Sequence, residues 1–114
     1  MNRIGLELRS KLRMQGVEHD AARLEASLAI LAALGRRAAS ASICPSEAAR
    51  ACSAEHWRGW LAAVRAAALE LEARGVLRVT QRGRTVEGRR ARGPVRYVRG
   101  PAWRHLVPSE EERS

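Results

Sequence analysis

The apolar positions in the first third of the chain follow the period of an α-helix. In the segment AARLEASLAILAALG, Leu24, Leu28 and Leu31 recur at intervals of four and three residues and mark one face. Asp20 suits the N-cap of this helix, and Gly35 suits its C-terminus. The pattern therefore predicts a first helix that begins after Asp20 and ends near Gly35.

Two further helices are predicted in quick succession. Pro45 suits the first position of the short helix PSEAARAC, with Cys44 at its cap and a short extended stretch before it. Ser53 is predicted to cap the third and longest helix, which Gly75 ends. The apolar residues of that helix recur at spacings of three and four and form its core face: Trp57, Trp60, Leu61, Val64, Ala68 and Leu71.

Beyond Gly75 the apolar period changes from that of a helix to that of a strand. Leu77 and Val79 alternate with polar residues in VLRVTQ, and Val95 and Tyr97 do so in PVRYVR. Residues 82–93 are rich in glycine and arginine, which predicts a loop that closes an antiparallel hairpin. The order of elements predicts a mostly α, α+β fold: a winged helix-turn-helix with three core helices and a β-hairpin wing.

The pattern divides the chain into three parts. Residues 1–19 form a basic leader in which helical spacing of apolar residues allows a short helix, residues 20–100 form the winged-helix domain, and residues 101–114 form a tail. The tail ends in acidic residues, but Trp103 and Leu106 near its start are candidates for docking onto the domain.

The formal charge of +9 is concentrated in one segment. From Arg74 to Arg104 there are ten arginines and a single acid, Glu87. In the rest of the chain, basic and acidic residues are equal in number. A confined positive field of this kind attracts polyanions and accelerates their encounter with the protein. The segment therefore predicts a nucleic acid, duplex DNA foremost, or an acidic protein as the partner.

Two resemblances support this organisation. The stretch LELEARGVLRVTQRGR resembles the end of the recognition helix and the first wing strand of bacterial winged-helix domains. The motifs ICPSEAAR, VTQRGR and RARGPVRY, within residues 24–99, are similar to a small bacterial family, a domain of unknown function with a winged-helix fold. The resemblance implies that the third helix enters the major groove of DNA and that the wing reaches phosphates.

The candidate contacts to nucleic acid are arginines of the wing and of the outer face of the third helix. They are Arg82, Arg84, Arg89, Arg90 and Arg92 in the wing, and Arg58 and Arg65 in the helix. The helix otherwise offers alanine and glycine, with no amide or hydroxyl side chain to read base edges. A smooth alanine surface with an exposed Leu69 supports the alternative, a protein–protein interaction module without a nucleic-acid role.

No enzyme, cofactor or metal site is expected from the sequence. Cys44 sits where a helix N-terminus can lower a thiol pKa, but no partner for catalysis accompanies it, so a structural cap is the favoured interpretation. Cys44, Cys52 and His56 lack the spacing and the fourth ligand of a zinc site. The chain has no run of apolar residues long enough for a membrane span, which together with the absence of a secretory signal predicts a cytoplasmic protein with reduced thiols.

Overall fold

The computed structural model describes residues 21–106 as an α+β structure. Within this range the helices are α1 (Ala21–Gly35), α2 (Pro45–Cys52), α3 (Trp57–Ala73) and α4 (Trp103–Leu106), and the strands are β1 (Leu77–Gln81), β2 (Arg84–Val86) and β3 (Arg96–Arg99). The three predicted core helices and the two predicted strands are confirmed. Asp20 and the leader over residues 1–19 lie outside the described residues.

The strands form an antiparallel sheet in the order β2-β1-β3. Val79 in the central strand is paired with Val86 on one side and with Tyr97 on the other. The prediction of an unbroken loop over residues 82–93 is therefore wrong, because Arg84–Val86 is a third strand. A two-residue turn joins β1 to β2, and Arg82 and Gly83 both have positive φ (53° and 80°), as a type I′ hairpin turn requires.

The core lies between α1, α3 and the inner face of the sheet. Ile30 and Leu34 of α1 and Val64 and Leu71 of α3 are fully buried, and each such side chain stabilises the fold by about 1.5–3 kcal/mol relative to exposure. The predicted core face of α3 is confirmed at its centre. Its first turn differs, since the Trp57 and Trp60 side chains are half-buried and pack on the edge of the core rather than within it.

Backbone hydrogen bonds join the helical part to the sheet. Ile43 donates its N–H to the Tyr97 carbonyl at 2.9 Å, and Tyr97 donates its N–H to the Ile43 carbonyl at 2.8 Å. This isolated antiparallel bridge confirms the short extended stretch predicted before Cys44. Residue 43 thus lies beside β3, and the N-terminus of α2 is placed next to the sheet.

Arg99 stabilises the end of α1. Its Nη2 atom donates to the carbonyl oxygen of Leu34 in the last turn of α1 at 3.0 Å and to that of Arg37, just after the helix, at 2.9 Å. The guanidinium also stacks over the Trp103 ring at 4.7 Å. Trp103 and Leu106 are buried in the core, as their apolar character suggested, so the first part of the predicted tail belongs to the packed structure.

The predicted capping of α2 and α3 is only partly correct. Cys44 occupies the N-cap position of α2, but its side chain makes no capping hydrogen bond. His56, rather than Ser53, is the N-cap residue of α3. The Ser53 hydroxyl accepts a hydrogen bond from the His56 N–H at 3.0 Å, so it orders the turn before the helix instead of the helix itself.

The glycines Gly100 and Gly59 provide a matched test of the packing. A Cβ at Gly100 would overlap the carbonyl oxygen of Gly75, so Gly100→Ala is expected to lower the free energy of unfolding by about 1–3 kcal/mol. A Cβ at Gly59 in α3 would meet nothing within 4 Å, so Gly59→Ala is expected to raise it by about 0.5–1 kcal/mol. Chemical denaturation of both variants measures the two changes, and equal effects would contradict this packing.

Candidate nucleic-acid interface

Four arginines surround one surface cavity of about 960 Å³ beside the β1–β2 hairpin. Arg82 and Arg84 come from the hairpin, Arg92 comes from the loop before β3, and Arg96 is the first residue of β3. We call this surface the arginine groove. All four side chains are exposed, so their guanidinium groups are available to an anion in solution.

A second cavity of about 670 Å³ lies between the N-terminus of α2, the outer face of α3 and the segment 88–95. Arg65 and Arg89 line it, and most of its other side chains are apolar; we call it the apolar cleft. Cys44, Pro94 and Val95 line both cavities. The arginine groove and the apolar cleft are therefore contiguous parts of one surface that carries six arginines.

The segment that separates the two cavities is held by side-chain hydrogen bonds. Gln81 Nε2 donates to the carbonyl oxygens of Arg92 at 2.6 Å and Pro94 at 3.2 Å. The Gly88 N–H donates to Glu72 Oε2 on α3 at 3.0 Å. The loop after β2 is thus fastened to β1 at one end and to α3 at the other, and its arginines have defined positions.

Arg96 is attached to the connection that follows α1. Its guanidinium donates to the hydroxyl of Ser42 through Nε and to the carbonyl oxygen of Ser42 through Nη2 at 3.1 Å. Sequence reasoning did not include Arg96 among the candidate contacts. The alternation of PVRYVR could have found it, because Arg96 neighbours the buried Tyr97 and so lies on the opposite face of the strand.

Five of the seven candidate arginines line this surface, and two do not. Arg65, Arg82, Arg84, Arg89 and Arg92 line one cavity or the other. Arg58 stacks over the Trp57 ring at 4.5 Å, and Arg90 pairs with Glu87 at 3.5 Å. Within the part of the chain that the structure describes, no carboxylate lines either cavity, so arginines supply the charge of the lining.

Leu69 differs from its predicted exposure. The side chain is half-buried, and its Cδ2 atom lies beside Gly88, where an added Cβ would be 3.0 Å away. The loop after β2 covers this part of α3 because Gly88, without a side chain, can approach it closely. An exposed leucine therefore does not contribute to a protein-binding face on α3.

The pKa values of the two cysteine thiols are shifted in opposite directions. Burial raises the pKa of the Cys44 thiol, but hydrogen bonds from the Ser46 hydroxyl at 3.1 Å and the Glu47 N–H outweigh it, and the net pKa is lower than usual. Burial and the Glu25 carboxylate raise the pKa of Cys52. Cys44, which lies where the two cavities meet, is therefore the more readily ionised thiol.

Tyr97 forms part of the lining of the apolar cleft and is 2% exposed. The pKa of Tyr97 is raised to about 12, chiefly by burial; the charge of Arg65 opposes this rise and that of Glu72 contributes to it. The phenol is consequently neutral at physiological pH and retains its proton as a hydrogen-bond donor.

Alkaline titration tests the burial of Tyr97. The chain has a single tyrosine, so its tyrosinate absorbance is expected to show a midpoint near 12 when folded. The raised pKa favours the folded state fully below pH 10, and this stabilisation is lost as pH rises from about 10 to about 12, by roughly 2–3 kcal/mol. Tyr97→Phe is the control, and a midpoint near 10 in the folded protein would contradict the burial.

Alkylation with iodoacetamide tests the difference between the cysteines. Because the thiolate is the reacting species, Cys44 is expected to be modified faster than Cys52 at neutral pH. Peptide mass spectrometry over time measures both rates in one sample. Ser46→Ala is expected to slow modification of Cys44 and to leave Cys52 unchanged, and equal rates in the unaltered chain would contradict the assignment.

Over residues 21–106, no three His, Cys, Asp or Glu side chains are grouped closely enough to hold a metal ion. In the same range, no helix combines the length and apolar character that crossing a membrane requires.

Comparison with known proteins identifies the family of the chain. No curated protein matches it. Residues 21–100, which include all three strands and the helices α1 to α3, match the family described as "Protein of unknown function (DUF3253)". The match covers more than half of the chain, so this protein belongs to that family of unknown function.

Proposed function

We propose that this protein is a bacterial winged helix-turn-helix protein that binds nucleic acid, duplex DNA foremost. One observation carries the proposal: six arginines surround two contiguous cavities that no described carboxylate lines. Because none of the carboxylates over residues 21–106 lies in its lining, such a surface favours a polyanion.

The order and contacts of the elements support the winged-helix assignment. Helices α2 and α3 follow each other after a four-residue turn, as in a helix-turn-helix, and α3 would be the recognition helix. The β1–β2 hairpin with Arg82 at its tip would be the wing. In this arrangement the outer face of α3 and the hairpin bound the same surface, which is how a winged helix meets a duplex.

The composition of α3 supports binding without strong sequence preference. Its sequence WRGWLAAVRAAALELEA contains no Asn, Gln, Ser or Thr. These are the uncharged side chains that commonly hydrogen-bond to base edges. Arg65 is the one arginine of α3 that lines the cavities. Contacts to phosphates therefore dominate the proposed complex, and they position the protein without specifying a sequence.

Counterion release gives the proposal a quantitative signature. Each phosphate that a guanidinium neutralises adds about −0.9 to the slope of log affinity against log salt for duplex DNA. Six phosphate contacts would give a slope of about −5. Duplexes of different sequence are expected to bind with similar affinity and similar slope.

A quadruple arginine variant tests the arginine groove. Replacing Arg82, Arg84, Arg92 and Arg96 by Ala is expected to reduce the salt slope by about 3–4 and to weaken binding at low salt. Fluorescence anisotropy with a labelled duplex of mixed sequence at several salt concentrations measures both quantities. Circular dichroism checks that the variant remains folded.

A matched variant removes the same charge elsewhere. It replaces four exposed arginines that line neither cavity: Arg36, Arg74, Arg78 and Arg104. This control is expected to retain most of the slope of the unaltered chain. Equal losses in both quadruple variants, or no duplex binding, would refute the proposal, and stoichiometric binding of an acidic protein without nucleic acid would favour the interaction-module alternative.

A further inference from the structure

The apolar cleft has the size and lining of a small-molecule site. Its volume of about 670 Å³ lies within the range of about 300–1,000 Å³ that is common for ligand pockets in proteins. Four secondary-structure elements, α2, α3, β1 and β3, and the loop between β2 and β3 contribute to its wall, so it is built by the tertiary fold rather than by a single turn.

The wall of the cleft is apolar along one side. Leu61, Ala68 and Leu69 of α3 face Val79 of β1 and Val95 of the loop. Leu61, Leu69 and Val95 are only half-buried, so apolar surface remains accessible to a ligand. Burial of such surface gives an apolar molecule a favourable free energy of transfer from water.

The charged groups of the cleft have one sign. Arg65 and Arg89 are the ionised side chains in its lining, and both are exposed. Within residues 21–106, neither takes part in an ion pair with a described carboxylate. A guanidinium donates charge-assisted, often paired hydrogen bonds to planar oxyanions, so Arg65 and Arg89 favour an acid group in the cleft.

We propose that the apolar cleft binds a small amphipathic anion, with an aromatic or branched apolar body and one carboxylate, sulfonate or phosphate group. The body lies against the partly exposed side chains of Leu61, Leu69 and Val95, and the acid group meets Arg65 and Arg89. The hydroxyl of Ser46 and the neutral phenol of Tyr97, both in the lining, complete the set of polar side chains that can orient it.

This site does not depend on the nucleic-acid role, but it has a consequence for it. Arg65 and Arg89 belong to the same six-arginine surface. An anion bound there occupies two of its arginines and offsets part of its positive charge, and it therefore weakens duplex binding; this coupling rests on the proposed function. By reciprocity, duplex DNA weakens binding of the anion by the same factor.

Titration of the full chain with anilinonaphthalene sulfonate, in the absence of nucleic acid, tests the site. We expect saturable fluorescence enhancement at a stoichiometry of one. Arg65→Ala with Arg89→Ala is expected to weaken binding of the sulfonate at least about tenfold, the effect of losing charge-assisted hydrogen bonds. Phenylnaphthylamine, which has the same rings without the sulfonate, is expected to bind both proteins equally.

A pair of tryptophan substitutions locates the bound probe. Ala91→Trp places a large side chain in the lining of the cleft and is expected to abolish binding. Ala62→Trp adds the same side chain at an exposed position of α3 outside the lining and is expected to leave binding unchanged. Equal effects of the two substitutions would overturn the proposal.

The alkylation rate of Cys44 distinguishes binding in the cleft from nonspecific binding of the dye to a loosely folded protein. Cys44 lines the cleft and Cys52 does not, so the bound probe is expected to slow alkylation of Cys44 alone. Unprotected Cys44, or slowing of both cysteines, would overturn the site. Anisotropy with labelled duplex then tests the coupling separately: a bound probe that leaves duplex affinity unchanged refutes the coupling, while absence of duplex binding without the probe refutes the proposed function.

Discussion

The antiparallel bridge between Ile43 and Tyr97 determines how the two halves of this structure meet. Its two hydrogen bonds, 2.9 and 2.8 Å long, are the direct backbone connection between the α1–α2 segment and β3. The bridge places Cys44 and the start of α2 beside the sheet and buries Tyr97 at the base of the cleft that results. Cys44, which directly follows the bridged residue, lines both cavities.

The neighbouring arginines of β3 reinforce this connection in different ways. Arg99 is half-buried, donates to the carbonyl groups at the end of α1 and contacts the Trp103 ring, so its role is structural. Arg96 holds Ser42 with the same guanidinium that lines the arginine groove. The number of arginines in a segment is therefore not a measure of its binding surface, because in β3 one arginine stabilises the fold and another also lines a cavity.

The spacing of apolar residues sufficed to predict the helices and the core strands. An element that buries one face needs apolar residues at the period of a helix or a strand, and this spacing is visible in the sequence. It failed at β2, where only three residues pair and only Val86 packs on the core, so little alternation is left to detect. The candidate arginines show the same limit. Charge density located the segment, but the stacking of Arg58 on Trp57 and the pairing of Arg90 with Glu87 depend on side-chain directions that the sequence does not contain.

The turn at the tip of the β1–β2 hairpin affects the conformational entropy that is lost when an anion binds. A type I′ turn prefers Asn or Gly at its first central position, whereas Arg82 adopts φ 53° there, a conformation that is uncommon for residues with a Cβ. With only two residues between paired strands, the backbone has little freedom left to lose when an anion binds. The ordering of Arg82 and Arg84 on binding then costs mainly their side-chain rotamers, so the hairpin presents its charge in a largely preorganised form.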